Sequence, residues 1–151
     1  MNLQDEIKAL KERIAELEGQ VEQEKEFPQE DDIFCFINTF GKPVESTWGE
    51  SITNRQLIEI GNMFRTKDEA EFAVEKLKVE AELRKFSRPF EEDENNYYLE
   101  YRSSNKAVTT YCCQQYQTQG VIYFESSKKA QQAIEAVGEE RIKKYLFGVE
   151  D

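Results

Sequence analysis

The chain contains no histidine. That absence removes Ser-His and Cys-His nucleophile pairs, His-bearing zinc sites and the commonest proton shuttle at neutral pH. Cysteine is scarce and poorly placed for chemistry. Cys112 and Cys113 are adjacent, so on a strand they point to opposite faces, and Cys35 stands alone on a separate apolar run. Neither the C-x-x-C spacing of a redox pair nor the two cysteine pairs of a thiolate zinc site occurs, and reduced thiols in a cytosol are the expectation. The seven glycines are scattered singly, which leaves no glycine-rich loop to cradle a phosphate. No apolar run approaches the ~20 residues that span a bilayer, and no basic-then-apolar leader opens the chain, so no secretory signal is expected. Paired carboxylates such as Glu91-Glu92 and Glu139-Glu140 belong to charge runs, which are solvated faces far more often than acid–base pairs. The residues therefore predict no enzyme, no metal, no cofactor and no membrane.

What is present is acid, aromatics and one clean periodicity. With 151 residues, ten Phe and seven Tyr, the chain can build a core and is not disordered. The net charge of −11 is unevenly placed. Residues 1–32 carry 11 acids against 4 bases and residues 67–94 carry 10 against 6, whereas 33–66 and 95–151 balance. The acid gathers at the end of the first helix and in the tether after it (Glu22, Glu24, Glu26, Glu30, Asp31, Asp32) and in Glu91-Glu92-Asp93-Glu94. A phosphate backbone is repelled by such segments, so no direct nucleic-acid binding is expected. Two readings of the acid stand side by side. It keeps the chain soluble, or it imitates nucleic acid and occupies a basic cleft.

Leu3, Ile7, Leu10, Ile14, Leu17 and Val21 recur at steps of 4, 3, 4, 3 and 4. This heptad seam places β-branched residues at a and leucine at d, the combination that favours a parallel two-stranded coil. Glu6 at g faces Lys11 at e of a partner, and Arg13 faces Glu18, both attractive in that arrangement. The prediction is a parallel dimer or higher oligomer of this chain.

Residues 1–26 read as this oligomerisation helix, starting at an Asn2 cap, fraying after Val21 and closed by Phe27-Pro28. Residues 27–32 read as an acidic tether and 33–151 as an α+β domain, a small antiparallel sheet packed with two to three helices. Strands are expected at 33–37, 44–48, 96–102, 107–113 and 120–125. Residues 49–56 read as loop, and helices are expected at about 67–86, 127–137 and 139–146, the first behind a Thr66–Glu69 capping box. The 67–86 helix carries an apolar stripe wider than one docking face needs, which suits contact with both the sheet and a second chain. Phe64-x-Thr66-x-x-x-Ala70-x-x-Ala73-Val74-x-x-Leu77 matches Phe124-x-Ser126-x-x-x-Ala130-x-x-Ala133-Ile134-x-x-Val137 at a constant offset of 60. Either one β-to-α building unit is used twice, or the two halves are a duplication.

Two sets of residues are candidates for binding. Glu30, Asp31, Asp32 and Glu91, Glu92, Asp93, Glu94 are the partner-binding candidates, through their charge. Tyr97, Tyr101 and Arg102 are the alternative, a stacking and hydrogen-bonding face for a small ligand. Against this, tyrosines alternating on strands also describe an ordinary half-buried sheet. The bases Arg84, Lys85, Arg88, Lys128, Lys129, Arg141, Lys143 and Lys144 either gather around an anion or neutralise neighbouring acids.

The block Gly61-Asn62-Met63-Phe64-Arg65-Thr66-Lys67-Asp68-Glu69-Ala70-Glu71-Phe72-Ala73-Val74-Glu75-Lys76-Leu77-Lys78 resembles small accessory proteins encoded by phages and prophages of low-GC Gram-positive bacteria. The segments 120–126 and 142–149, the charged coil and the Trp48 loop are similar to the same group. The resemblance brings no activity and no functional residue. It implies a small accessory phage protein in the bacterial host cytosol, from a class of genes often devoted to countering host defence. The function expected is a non-catalytic, oligomeric inhibitor of a host antiviral protein, for example an anti-CRISPR binding the basic channel of a nuclease. The alternatives are a sponge for a nucleotide second messenger and an adaptor in phage assembly.

Overall fold

The structure, a computed structural model, describes residues 2–24 and 26–150; Met1, Lys25 and Asp151, which fall within the predicted coil and domain, lie outside the described residues, as do the side chains of 22–24. Helix α1 (Leu3–Glu24) begins where the Asn2 side-chain oxygen accepts from the amides of Gln4 and Asp5, both at 2.9 Å. It satisfies two amides that have no partner within the helix. The helix continues past Val21 to Glu24. All of residues 2–21 are exposed, and α1 is not among the elements that pack closely together.

Strands β1 (Ile33–Ile37) and β2 (Pro43–Thr47) form an antiparallel hairpin with Cys35 opposite Glu45. Its turn is built by Asn38, whose side-chain oxygen accepts from Phe40 and Lys42, while Gly41 takes the left-handed conformation at φ 70°. Helix α2 (Ile52–Glu59) occupies most of the stretch expected to be loop. Ser51 caps it by accepting from the Asn54 amide at 3.1 Å, a signal masked by Ile52, Thr53 and Asn54, all weak helix formers. No residue of α2 is buried, so no apolar stripe announces it.

Helix α3 (Lys67–Arg84) starts at Thr66, which accepts from Glu69 N at 3.2 Å. The Glu69 carboxylate reaches back to the amide of Arg65 at 2.9 Å, one residue before the expected capping-box contact. Strands β3 (Asn96–Arg102) and β4 (Ala107–Cys113) form the second hairpin, with Tyr98 opposite Tyr111. Helices α4 (Ser127–Val137) and α5 (Glu139–Leu146) follow at the expected positions. The fold is α+β; among the described residues there are two two-stranded antiparallel sheets where one was expected and four helices after α1 where two to three were expected. The expected strand 120–125 contributes only two bridges, Tyr123 with Arg88 and Phe124 with Tyr97. Gly120 is left-handed there and Val121 N closes a turn onto Thr118 O, which delays pairing until Tyr123.

The 60-residue echo is visible as matching hydrogen bonds. Phe64 exchanges two main-chain bonds with Cys35 at 2.8 and 2.9 Å, and Phe124 exchanges two with Tyr97 at 2.7 and 3.0 Å. Thr66 and Ser126 then cap their helices through the amide three residues on, and Ala70 and Ala130 are both fully buried. The match continues upstream at an offset of 62. Asp32 N bonds to Gln29 O and Glu94 N to Glu91 O, closing two turns in which Asp31 (φ 65°) and Asp93 (φ 63°) are left-handed. Each half is thus an acidic turn, a hairpin, a bridging segment and a capped helix.

The main core joins Val79 and Leu83 of α3 with Val108, Phe124, Ala130, Ala133, Ile134, Val137 and Ile142. The first half of α3, with Ala70 and Val74 buried, packs on the first hairpin. One helix therefore serves both halves, which accounts for the width of its stripe. Leu77 remains more than half exposed there, and Phe72 stacks on Tyr145 with ring centres 5.1 Å apart. Across the α3–α5 contact, Arg141 donates to both carboxylate oxygens of Glu82 at 2.9 and 3.0 Å.

Candidate interaction surfaces

The α1 seam is a continuous exposed apolar feature. Leu3, Ile7, Leu10, Ile14, Leu17 and Val21 keep 43–76 % of their surface in solvent, all on one side of a helix about 33 Å long. Residues 2–21 are exposed throughout, and α1 is not among the closely packed elements.

The segment 27–32 is held against the domain. Asp31 N donates to Trp48 O at 3.2 Å and Trp48 N to Asp32 O at 2.7 Å, which pins the turn to the end of the first hairpin. The Asp32 carboxylate accepts from Gln29 N at 2.8 Å, and Glu30 and Asp31 are exposed. The second turn is held from inside. Asn96, with no exposed surface, donates to Glu91 O and Glu94 O at 2.8 and 2.9 Å and accepts from Glu91 N at 2.9 Å. Arg88 braces the same assembly, donating to Asn96 Oδ1, Pro89 O and Asn95 O. Glu91, Glu92, Asp93 and Glu94 are all exposed around this clamp. The two candidate acidic sets are therefore equivalent turns of the two halves, each preceding the first strand of its hairpin.

Strand alternation separates the alternative ligand set. Tyr97 packs against the main core and Tyr101 stacks on Phe147 at 6.1 Å, so both face the helices. Arg102 lies on the opposite face, where its guanidinium stands 5.7 Å from the Tyr111 ring centre and bonds the Tyr111 hydroxyl. The three residues do not converge. The opposite face instead carries an aromatic row that the sequence did not reveal. Phe90, Tyr123, Tyr98 and Tyr111 follow one another at centre-to-centre distances of 5.2, 6.1 and 6.3 Å. Tyr98 and Tyr111 were visible as alternating tyrosines; Phe90 and Tyr123 join them through the Arg88–Tyr123 and Tyr97–Phe124 bridges, which no local pattern announces.

Among the bases, Arg84 pairs with Glu80, Arg141 with Glu82, and Lys143 with Glu139 and Glu140, so these three neutralise neighbouring acids. Burial pushes the Cys35 and Cys113 thiols up, away from the thiolate form that a nucleophile needs. Burial, and then the hydrogen bond to Glu100, also raises the Tyr98 hydroxyl. Among the described residues no cluster of three or more His, Cys, Asp or Glu is arranged to hold a metal, and no helix is long and apolar enough to cross a membrane. Comparison with protein-family models, curated proteins and solved structures finds no match.

Proposed function

We propose that this chain is a non-catalytic, coiled-coil-dimerised binding protein that inhibits a basic protein target through its acidic turns. The observation that carries the reading is the exposed seam of α1. Six apolar side chains in heptad register lie exposed along this 22-residue helix, and such a seam calls for a partner helix. Charge selects the second copy as that partner and a parallel arrangement. Full antiparallel overlap sets Lys11 against Lys11 and Arg13 against Arg13, whereas the parallel register pairs each with a glutamate. The domain attached to the coil presents two equivalent acidic turns, four in a dimer, which favours a target with an extended basic surface.

The resemblance to phage accessory proteins supplies the context, a host antiviral nuclease whose nucleic-acid channel is such a surface. Histidine is absent from the chain, and the two thiols shifted by burial move away from nucleophilic use, which favours binding over catalysis. Sedimentation of the full chain tests the first step, with about twice 17.8 kDa expected; a monomer at micromolar concentration overturns it. Neutralising Glu30, Asp31, Asp32 and Glu91 to Glu94 should abolish protection of phage in a defence-bearing host. Unchanged protection sinks the target reading.

A further inference from the structure

We infer that the outer face of the second hairpin is a docking site for an arginine-bearing segment of a protein partner, held by Phe90 and Tyr98 of the aromatic row and by the acidic turn beside it. This deepens the binding-protein reading above and rests on it. The face points away from α4 and α5, because Tyr97, Leu99 and Phe124 take the side packed on the main core. Phe90, Tyr98 and Tyr111 are each half-buried, so ring surface is left for a visitor. The acid lies at the edge of the same face: Asn96 shares the outer side of β3 with Tyr98, two residues away, and its side chain holds the carbonyls of Glu91 and Glu94. Aromatic rings next to a main-chain-anchored turn that bears exposed carboxylates suit a guanidinium, which takes a π-face and a carboxylate together.

The first half shows this chemistry within the chain. There the Arg65 guanidinium stands 4.6 Å from the Phe27 ring centre, just before the 29–32 turn. In the second half the residue at the matching offset of 60 is Glu125, which supplies no cation. Arg102 covers Tyr111 at the far end of the row and Tyr123 is buried beneath it, so the half-buried rings of Tyr98 and Phe90 are where the partner's arginine is placed.

The test is amide chemical-shift mapping on the full-length protein, titrated with a capped Gly-Arg-Gly-Arg-Gly peptide, its citrulline counterpart and a short oligothymidylate. The arginine peptide is expected to shift amides of Tyr98, Tyr111, Tyr123 and residues 92–94 saturably, more than those of 30–32 or α1, with no such response to citrulline. Tyr98→Thr, which keeps a strand-forming residue, should weaken that binding about fivefold, the scale of one cation–π contact. Glu92→Gln with Glu94→Gln should weaken it as well, and the amide dispersion of each variant reports whether it is folded. Equal shifts at every acidic segment, an unchanged response to citrulline, or occupation of the face by the oligonucleotide instead overturns the inference. Sedimentation and phage protection judge the parent reading separately, so the two can fail independently.

Discussion

Asn96 and Glu91 grip each other through two hydrogen bonds: Asn96 Nδ2 donates to Glu91 O at 2.8 Å, and Glu91 N donates to Asn96 Oδ1 at 2.9 Å. The clamp lies at a side chain with no exposed surface, at the point where the acidic turn enters the second hairpin. Asn96→Ala leaves buried donors and acceptors of the turn unpaired, at a cost of about 2 kcal/mol. Thermal unfolding should fall by roughly 4–8 °C for a chain of this length. Amide exchange should accelerate over residues 91–95 while the first hairpin stays protected.

The Glu82–Arg141 pair makes stability depend on pH in a definite direction. The Arg141 hydrogen bond is the largest cause that lowers the Glu82 carboxyl below its ordinary value of 4.5. A carboxyl depressed in the folded state contributes stability that is present above its unfolded value and is lost as pH falls through the folded one. Both side chains are more than a third exposed, so solvent screens the pair and the contribution is small. Glu82→Gln should therefore unfold slightly earlier than the parent at neutral pH, with the difference shrinking as pH falls below 4.5. A gap that persists in acid would show that the pair is not its source.

The two helix caps permit a paired measurement. Thr66→Ala and Ser126→Ala should each destabilise the protein by about 1 kcal/mol. No residue forms a direct bond in both caps, so the double variant should lose the sum of the two, within about 0.5 kcal/mol, in chemical denaturation.

The two bridging aromatics should differ in weight although they occupy equivalent places. Phe124 is fully buried in the main core, whereas Phe64 is half-buried. Phe124→Ala should cost about 3–5 kcal/mol, and Phe64→Ala clearly less. Equilibrium denaturation of both variants checks the order.

Ile14→Asp places a charge at an a position of the seam without touching the domain. The expected result is a monomer in sedimentation whose unfolding temperature no longer rises with concentration, with the near-ultraviolet spectrum of the hairpins retained. A variant that remains dimeric would move the main contact elsewhere, to the exposed Leu77 side of α3 for instance.

Much of the architecture follows from local chemistry. β1, β3, β4, α4 and α5 stand where alternation, apolar spacing and caps predicted them, because each of those signals acts within a few residues. Helix α2 was missed for the same reason in reverse: it buries nothing, and its cap precedes residues that disfavour helix. The single expected sheet became two because β1 and β2 pair with each other, β3 and β4 pair with each other, and Phe64 and Phe124 each bridge to the hairpin of their own half; which strands pair over such distances leaves no periodic trace.

The residues alone therefore determined the exposed heptad seam, the unevenly placed acid and the twofold β-to-α pattern, since each is a matter of spacing along the chain. Tertiary structure decided which of these stand together. It made the two acidic segments equivalent turns, one pinned to Trp48 and the other clamped by Asn96. It turned Tyr97 and Tyr101 inward and Arg102 outward, and it assembled Phe90, Tyr123, Tyr98 and Tyr111 into one row. The physical reason is that strand alternation allots faces locally, whereas the neighbour on each face is chosen by burial of the shared core.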